Sequence, residues 1–178
     1  MIKINDVLGL PVIYDNGEKS PGFLKDIIFN TYEKQVKAFI AERTGIMKDE
    51  TIFELEDICD IGEGTVIIKK PTKASPWFKD KENRKYSDID KKKEEIRVYT
   101  KVGEDLGTVK DIYFNLKTGY IEAFELSHGL VQDIIDGRKM IPLIGKYEFG
   151  KDNILVGKDA VQEMTNSGRG LKKKLFEK

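Results

Sequence analysis

The chain has 178 residues, with 31 basic and 31 acidic side chains, one histidine and one cysteine. With 39% hydrophobic and 35% charged residues it has enough apolar content to fold, which excludes wholesale disorder, and its balanced charge singles out neither a nucleic acid nor an acidic partner. One cysteine excludes an intramolecular disulfide and favours a reducing compartment.

Met1 to Leu10 carries Lys3 and Asp6 and lacks the apolar core of a signal peptide. No apolar run approaches the roughly 20 residues that span a bilayer, so a soluble, cytoplasmic protein without a transmembrane segment is expected. Asn5 and Asp6 are expected to cap a helical turn over Val7 and Leu8. The apolar runs that follow are short, β-branched or aromatic, and bounded by turn residues, which is the pattern of strands. Val12-Ile13-Tyr14 precedes the turn signal Asp15-Asn16-Gly17. Leu24 to Phe29 follows Gly22 and ends at Asn30, and Val36 to Ile40 alternates after it.

Lys69 to Glu95 differs in composition, with ten Lys or Arg, six Asp or Glu, two prolines and little periodicity. It is expected to be an irregular linker, with Trp77, Phe78 and Tyr86 as its aromatics. In the second half, Asn115-Leu116-Lys117-Thr118-Gly119 joins two apolar runs as a hairpin loop. Leu130 to Ile135 is expected to form a short helix stopped by Gly137, and Lys158 to Thr165 a short closing helix. Gly168 to Lys178 is a basic tail.

Shifted by 85 residues, the chain aligns with itself. From Ile13–Ile40 against Val98–Glu125, nine of 28 positions are identical without a gap, where unrelated sequences give roughly two. The identities include Tyr14 with Tyr99, Gly22 with Gly107, Lys25-Asp26-Ile27 with Lys110-Asp111-Ile112, Phe29-Asn30 with Phe114-Asn115, and Ala38-Phe39 with Ala123-Phe124. After a three-residue shift, Ile52-Phe53-Glu54-Leu55 meets Met140-Ile141-Pro142-Leu143, and Val66-Ile67-Ile68 meets Ile154-Leu155-Val156. The expected organisation is a domain over 1–70, a charged linker over 71–95, a second domain over 96–165 and a flexible basic tail over 166–178. The expected fold class is mainly all-β: two small β-barrels with short helical turns and a C-terminal helix. Phe29, Phe39, Phe114 and Phe124 are expected in the core.

Asn5 to Val12, a Gly-bearing turn and Gly22 to Asn30 resemble the opening of a PRC-barrel domain. Gly107 to Asn115, Lys117-Thr118-Gly119, Ser127-His128-Gly129-Leu130, Gly137 and Ile141-Pro142-Leu143 resemble the corresponding and later parts of bacterial tandem PRC-barrel proteins. The second copy lacks the Leu-Gly-Leu-Pro opening. The resemblance implies a domain used as an assembly or docking surface, as in the H subunit of the photosynthetic reaction centre and in a ribosome-maturation factor, with no common catalytic site.

His128 lacks partners at recognisable spacing for a base or metal ligand and is read as a loop residue. Cys59, flanked by Asp57 and Asp60, is read as a buried structural thiol rather than a nucleophile. Asp26 and Asp111 are read as carboxylates satisfying turn amides, and Gly22 and Gly107 as turn glycines. No catalytic set, cofactor or metal site is expected. Trp77 and Phe78 are candidates for anchoring a partner. Arg169, Lys172, Lys173 and Lys174 are candidates for phosphate contacts; with Leu171, Leu175 and Phe176 the tail also suits an anionic membrane surface or a solubilising terminus. The expected function is a non-catalytic adaptor that binds a protein through barrel surfaces or the groove between barrels. The alternative is an RNA- or ribosome-associated factor using the basic linker and tail.

Overall fold

The computed structural model describes residues 1–18, 20–30, 33–45, 49–62, 64–70, 96–150 and 152–166. Within these, the short apolar runs form strands. The first half holds β1 (Ile2–Lys3), β2 (Pro11–Tyr14), β3 (Gly22–Asn30), β4 (Gln35–Glu42), β5 (Glu50–Glu54), β6 (Ile58–Gly62) and β7 (Thr65–Ile68). The second half holds β8 (Arg97–Thr100), β9 (Asp105–Phe114), β10 (Ile121–Ser127), β11 (Lys139–Pro142), β12 (Tyr147–Phe149), β13 (Asn153–Val156) and β14 (Thr165–Asn166). Short helices run over Ile4–Val7, Leu130–Asp136 and Lys158–Gln162. The protein is therefore mainly all-β, built on two barrel-like sheets. The first helix begins earlier than the capping pattern predicts. Ile4 and Val7, three apart, are its buried residues, so Asn5 and Asp6 lie inside it, and Lys3 precedes it without a side-chain cap.

The described residues form two compact units, one over 2–70 and 114–120, the other over 96–113 and 121–166. The first unit's sheet runs β5-β4-β3-β2-β7-β6, with β2 parallel to β7 and its other described pairings antiparallel. The second unit's sheet has the order β12-β13-β8-β9-β10-β11-β14, with β13 parallel to β8. Apart from β14, the two orders are the same path through successive strands.

The registers correct the ungapped alignment at its start. Val12 pairs with Gly22, and Val98 pairs with Gly107. Val12 therefore occupies the place of Val98, both fully buried, and Tyr14 does not occupy the place of Tyr99. Further on, Phe39 faces Phe53 as Phe124 faces Ile141, which keeps the three-residue shift. That shift falls between β10 and β11, where Leu130–Asp136 stands; the β4–β5 connection holds only 43–49.

Gly22 and Gly107 are not turn glycines. Gly22 opens β3 and Gly107 stands inside β9, with φ of +119° and +108°. A Cβ on Gly22 would lie 2.1 Å from the Glu42 carbonyl oxygen, and one on Gly107 2.5 Å from that of Ser127. Both glycines permit close backbone approach to the neighbouring strand. Asp26 and Asp111 bond strand amides rather than turn amides: Asp26 Oδ1 accepts the Ile27 N–H and Asp111 Oδ1 the Ile112 N–H, each at 2.8 Å. Asp26 lies at a bulge, where the β3–β4 register shifts between Leu24 and Asp26.

Phe29, Phe39, Phe114 and Phe124 are all buried, as predicted. In the first unit Phe39 stacks on Phe53 with centroids 5.4 Å apart and meets Phe114 at 6.2 Å. The hairpin turn 114–120 completes this unit: the Val36 N–H donates to the Gly119 carbonyl at 2.8 Å, and Gln35 Nε2 donates to that of Thr118 at 3.2 Å. Asn115 Oδ1 shapes the turn by accepting the Lys117 and Thr118 N–H groups. In the second unit, Val98, Val109, Ile112, Leu126, Ile141, Ile154, Val156 and Ala160 form the core, and Phe124 meets Phe149 edge-on. Burying each of these large side chains contributes about 1.5–3 kcal/mol.

Candidate functional site

The helix Leu130–Asp136 is set between two glycines. Gly129 (φ +110°) and Gly137 (φ +78°) let the chain enter and leave at angles other residues resist. Ser127 Oγ accepts the Gly129 N–H at 3.0 Å, and the Gly137 N–H donates to the Asp133 carbonyl at 3.0 Å. Within the helix, Leu130, Val131, Ile134 and Ile135 repeat at the spacing of one helix face. A surface helix ordinarily turns such a face inward. Here it points outward: Leu130 is 82% exposed, Val131 72%, Ile134 58% and Ile135 40%. The helix has no buried residue at all.

The inward side is polar. The Asp133 side chain, only 14% exposed, accepts the His128 backbone N–H at Oδ1 (3.2 Å) and Arg138 Nε at Oδ2 (3.3 Å). Arg138 Nη1 also reaches the buried Glu125 carboxylate on β10 at 2.9 Å. Tyr113 Oη lies 3.5 Å from the other Glu125 oxygen. One guanidinium thus joins the helix to the strand that precedes it. Glu125 chiefly, with Asp133, holds Arg138 above its ordinary pKa against the opposing effect of burial. The helix is anchored through Asp133, and its four large hydrophobic side chains are left exposed.

His128 is exposed in the bend before the helix, as the sequence implies, and contributes its backbone N–H to the anchor. Cys59 corrects the sequence reading. It is exposed on β6, with Sγ 3.9 Å from Asp15 Oδ2, because that strand turns Cys59 and Asp60 to solvent. Asp26 and Asp111 serve their own strands. Among the described residues no group of three or more His, Cys, Asp and Glu is placed to hold a metal, and no helix is long and apolar enough to cross a membrane. Trp77, Phe78, Arg169, Lys172, Lys173 and Lys174 lie outside the described residues. Sequence reasoning found the helix and its glycine stop but missed the outward direction of its apolar face. The i, i+1, i+4, i+5 pattern marks a stripe without saying which way it faces.

The seven-strand path β12-β13-β8-β9-β10-β11-β14, with β13 parallel to β8, defines the second unit as a small β domain with a helix inserted between the adjacent strands β10 and β11. Residues 94–162 match the PRC-barrel domain family, so a PRC-barrel domain is found there, and it contains the exposed helix. No curated protein matches the chain.

Proposed function

We propose that the chain is a non-catalytic adaptor of the bacterial, cytoplasmic tandem PRC-barrel type, docking a protein partner on the helix Leu130–Asp136. The shared strand order, the parallel β2–β7 and β13–β8 pairs and the strand glycines Gly22 and Gly107 support reading the first unit as a second PRC barrel. The one cysteine supports a reducing compartment. The observation that carries the docking reading is the outward apolar face of the helix. Four large hydrophobic side chains left in water at helical spacing suit insertion into an apolar groove of a folded partner.

The test is capture from nuclease-treated lysate of the source organism, with wild-type protein and with the Leu130→Ser/Ile134→Ser double variant. A protein captured by the wild type, lost by the variant and bound again when purified supports the reading. Capture that vanishes with nuclease, or that the double variant leaves intact, overturns docking on this face; the nuclease-sensitive outcome promotes the RNA-associated alternative.

A further inference from the structure

We propose that Asn16 is a site of self-modification, its side-chain amide converting through a cyclic imide with Gly17 to aspartate and isoaspartate. The first ground is the sequence pair. Ring closure needs the backbone nitrogen after an asparagine to reach that asparagine's Cγ, and a side chain on the following residue obstructs the approach. Asn16 is the one asparagine followed by glycine; the others precede Asp6, Thr31, Arg84, Leu116, Ile154 and Ser167.

The second ground is the turn that follows β2. Asp15, Asn16, Gly17 and Glu18 are all exposed. Asn16 Oδ1 accepts the Glu18 N–H at 3.0 Å. The ring that this bond closes contains the Gly17 nitrogen, so the amide is folded back along the peptide that attacks it. The same bond draws electron density from the Cγ carbonyl, which favours addition. A Cβ on Gly17 would meet open space, so the site is accessible to base and water. One contact opposes the reaction: the Gly17 N–H donates to the Tyr14 carbonyl at 3.2 Å. A bond in an exposed turn opens by local fluctuation, without unfolding of the strands around it.

The chemistry needs only base and water. Hydroxide takes the Gly17 amide proton, the nitrogen attacks Asn16 Cγ, the Cγ–Nδ2 bond breaks and ammonia leaves. Water then opens the imide. Breaking the new Cγ–N bond gives aspartate; breaking the original backbone C–N bond gives isoaspartate, whose main chain runs through Cγ. Either product alters a local network. Asn16 Nδ2 donates to Glu18 Oε1 at 3.0 Å, and Lys70 pairs with Glu18 Oε2. The Lys70 hydrogen bond chiefly, with a smaller part from Asn16, holds Glu18 below its ordinary pKa. Conversion replaces the Asn16 donor with a carboxylate beside that of Glu18. The Asp15 N–H donates to the Ile68 carbonyl at 2.9 Å, so the same turn is tied to the end of β7. The modification therefore loosens the turn and its hold on Ile68 and Lys70. The inference stands apart from the adaptor reading, since it concerns the isolated chain.

The experiment holds the purified, folded full chain at neutral and at mildly alkaline pH, beside the Gly17→Ala variant. Peptides bearing Asn16, Asn115 and Asn153 are followed by mass, and fragmentation tells isoaspartate from aspartate. The expected result is conversion at Asn16 well ahead of the other two, to both isomers, at a rate proportional to hydroxide and several-fold slower in Gly17→Ala. The converted protein, separated by its added negative charge, should exchange the Asp15 and Gly17 amide hydrogens faster than the unconverted chain. An Asn16 amide that survives in the folded protein and is lost only in denaturant overturns the inference, because the turn then protects the site. Conversion of Asn115 or Asn153 at the same rate overturns it too. If Gly17→Ala fails to fold, the isomers decide. Isoaspartate forms only through the imide, so aspartate alone means direct hydrolysis and overturns the route.

Discussion

Arg138 stands between Asp133 on the helix and Glu125 on β10, giving Nε to one carboxylate at 3.3 Å and Nη1 to the other at 2.9 Å. Glu125 is buried, so its charge depends on that partner more than Arg138, with a half-exposed side chain, depends on it in return. Arg138→Ala is expected to cost about 2 kcal/mol, because it leaves a buried carboxylate short of a charged donor. Replacing the pair together, Arg138→Met with Glu125→Leu, is expected to cost less than Arg138→Ala alone. Urea unfolding of the two variants checks the order; equal or reversed losses would remove the anchor from the account of the helix.

The exposed face gives the opposite expectation. Leu130→Ser and Ile134→Ser remove large hydrophobic residues, yet both side chains are exposed, Leu130 to 82% and Ile134 to 58%. Each is expected to change unfolding free energy by no more than about 0.5 kcal/mol. Core truncations in the same protein serve as the comparison. A loss above about 2 kcal/mol in either helix variant would mean that the face is covered in solution.

Phe114 shows why a repeat in the sequence is not a map of packing. It aligns with Phe29, and both are fully buried, but Phe114 and the turn after it are part of the first unit's core, against Phe39. Phe114→Ala is expected to cost about 3–5 kcal/mol. Fluorine NMR of Phe39 and Phe53 labels should shift in this variant. Unmoved resonances would place Phe114 in a different core.

The strand pattern and the core phenylalanines were legible because burial on a sheet imposes alternation and β-branched or aromatic residues at short range. The register at β2 was not, because Tyr14 and Tyr99 are an identity of sequence that the pairing of Val12 with Gly22 and of Val98 with Gly107 sets aside. The direction of the helix face escaped for a further reason. The stripe Leu130, Val131, Ile134 and Ile135 has the pattern of a buried face, and nothing in that pattern foretells the polar anchor on its other side, where Asp133 meets His128 and Arg138 and Arg138 reaches Glu125, thirteen residues back. The flanking acids Asp57 and Asp60 argue against a nucleophilic Cys59 but carry no information on burial, and β6, which ends its sheet, leaves Cys59 exposed.

Gly22 and Gly107 give a graded test of close strand approach. Gly22→Ala places a methyl 2.1 Å from a backbone oxygen and Gly107→Ala one at 2.5 Å, neither of which a side-chain rotation relieves. Each is expected to cost about 3 kcal/mol. Gly17 also has positive φ, at +76°, but its Cβ would meet open space, so Gly17→Ala is expected to cost only about 1 kcal/mol. Thermal unfolding ranks the three. Were Gly17→Ala as damaging as the strand variants, backbone dihedral alone, and not close approach, would explain these glycines.

Cys59 gives the most direct check on β6. A buried thiol reacts with a thiol reagent only when the protein opens, so its rate follows stability. An exposed one reacts in the folded state at a rate that stabilising or destabilising variants leave unchanged. Cys59 is exposed, and the carboxylate of Asp15 at 3.9 Å adds negative charge beside it rather than the cationic setting that activates a nucleophile. One full equivalent of thiol is therefore expected to react with an aromatic disulfide reagent in native buffer, more slowly than an activated cysteine. The rate should be the same in wild type and in the destabilised Phe114→Ala background. Asp15→Asn should quicken it, by removing a charge that repels an anionic reagent. Cys59→Ser should leave unfolding free energy within about 0.5 kcal/mol of wild type. A thiol that reacts only in denaturant, or whose rate rises in step with destabilisation, would return Cys59 to the interior and require a different register for β6 against β7.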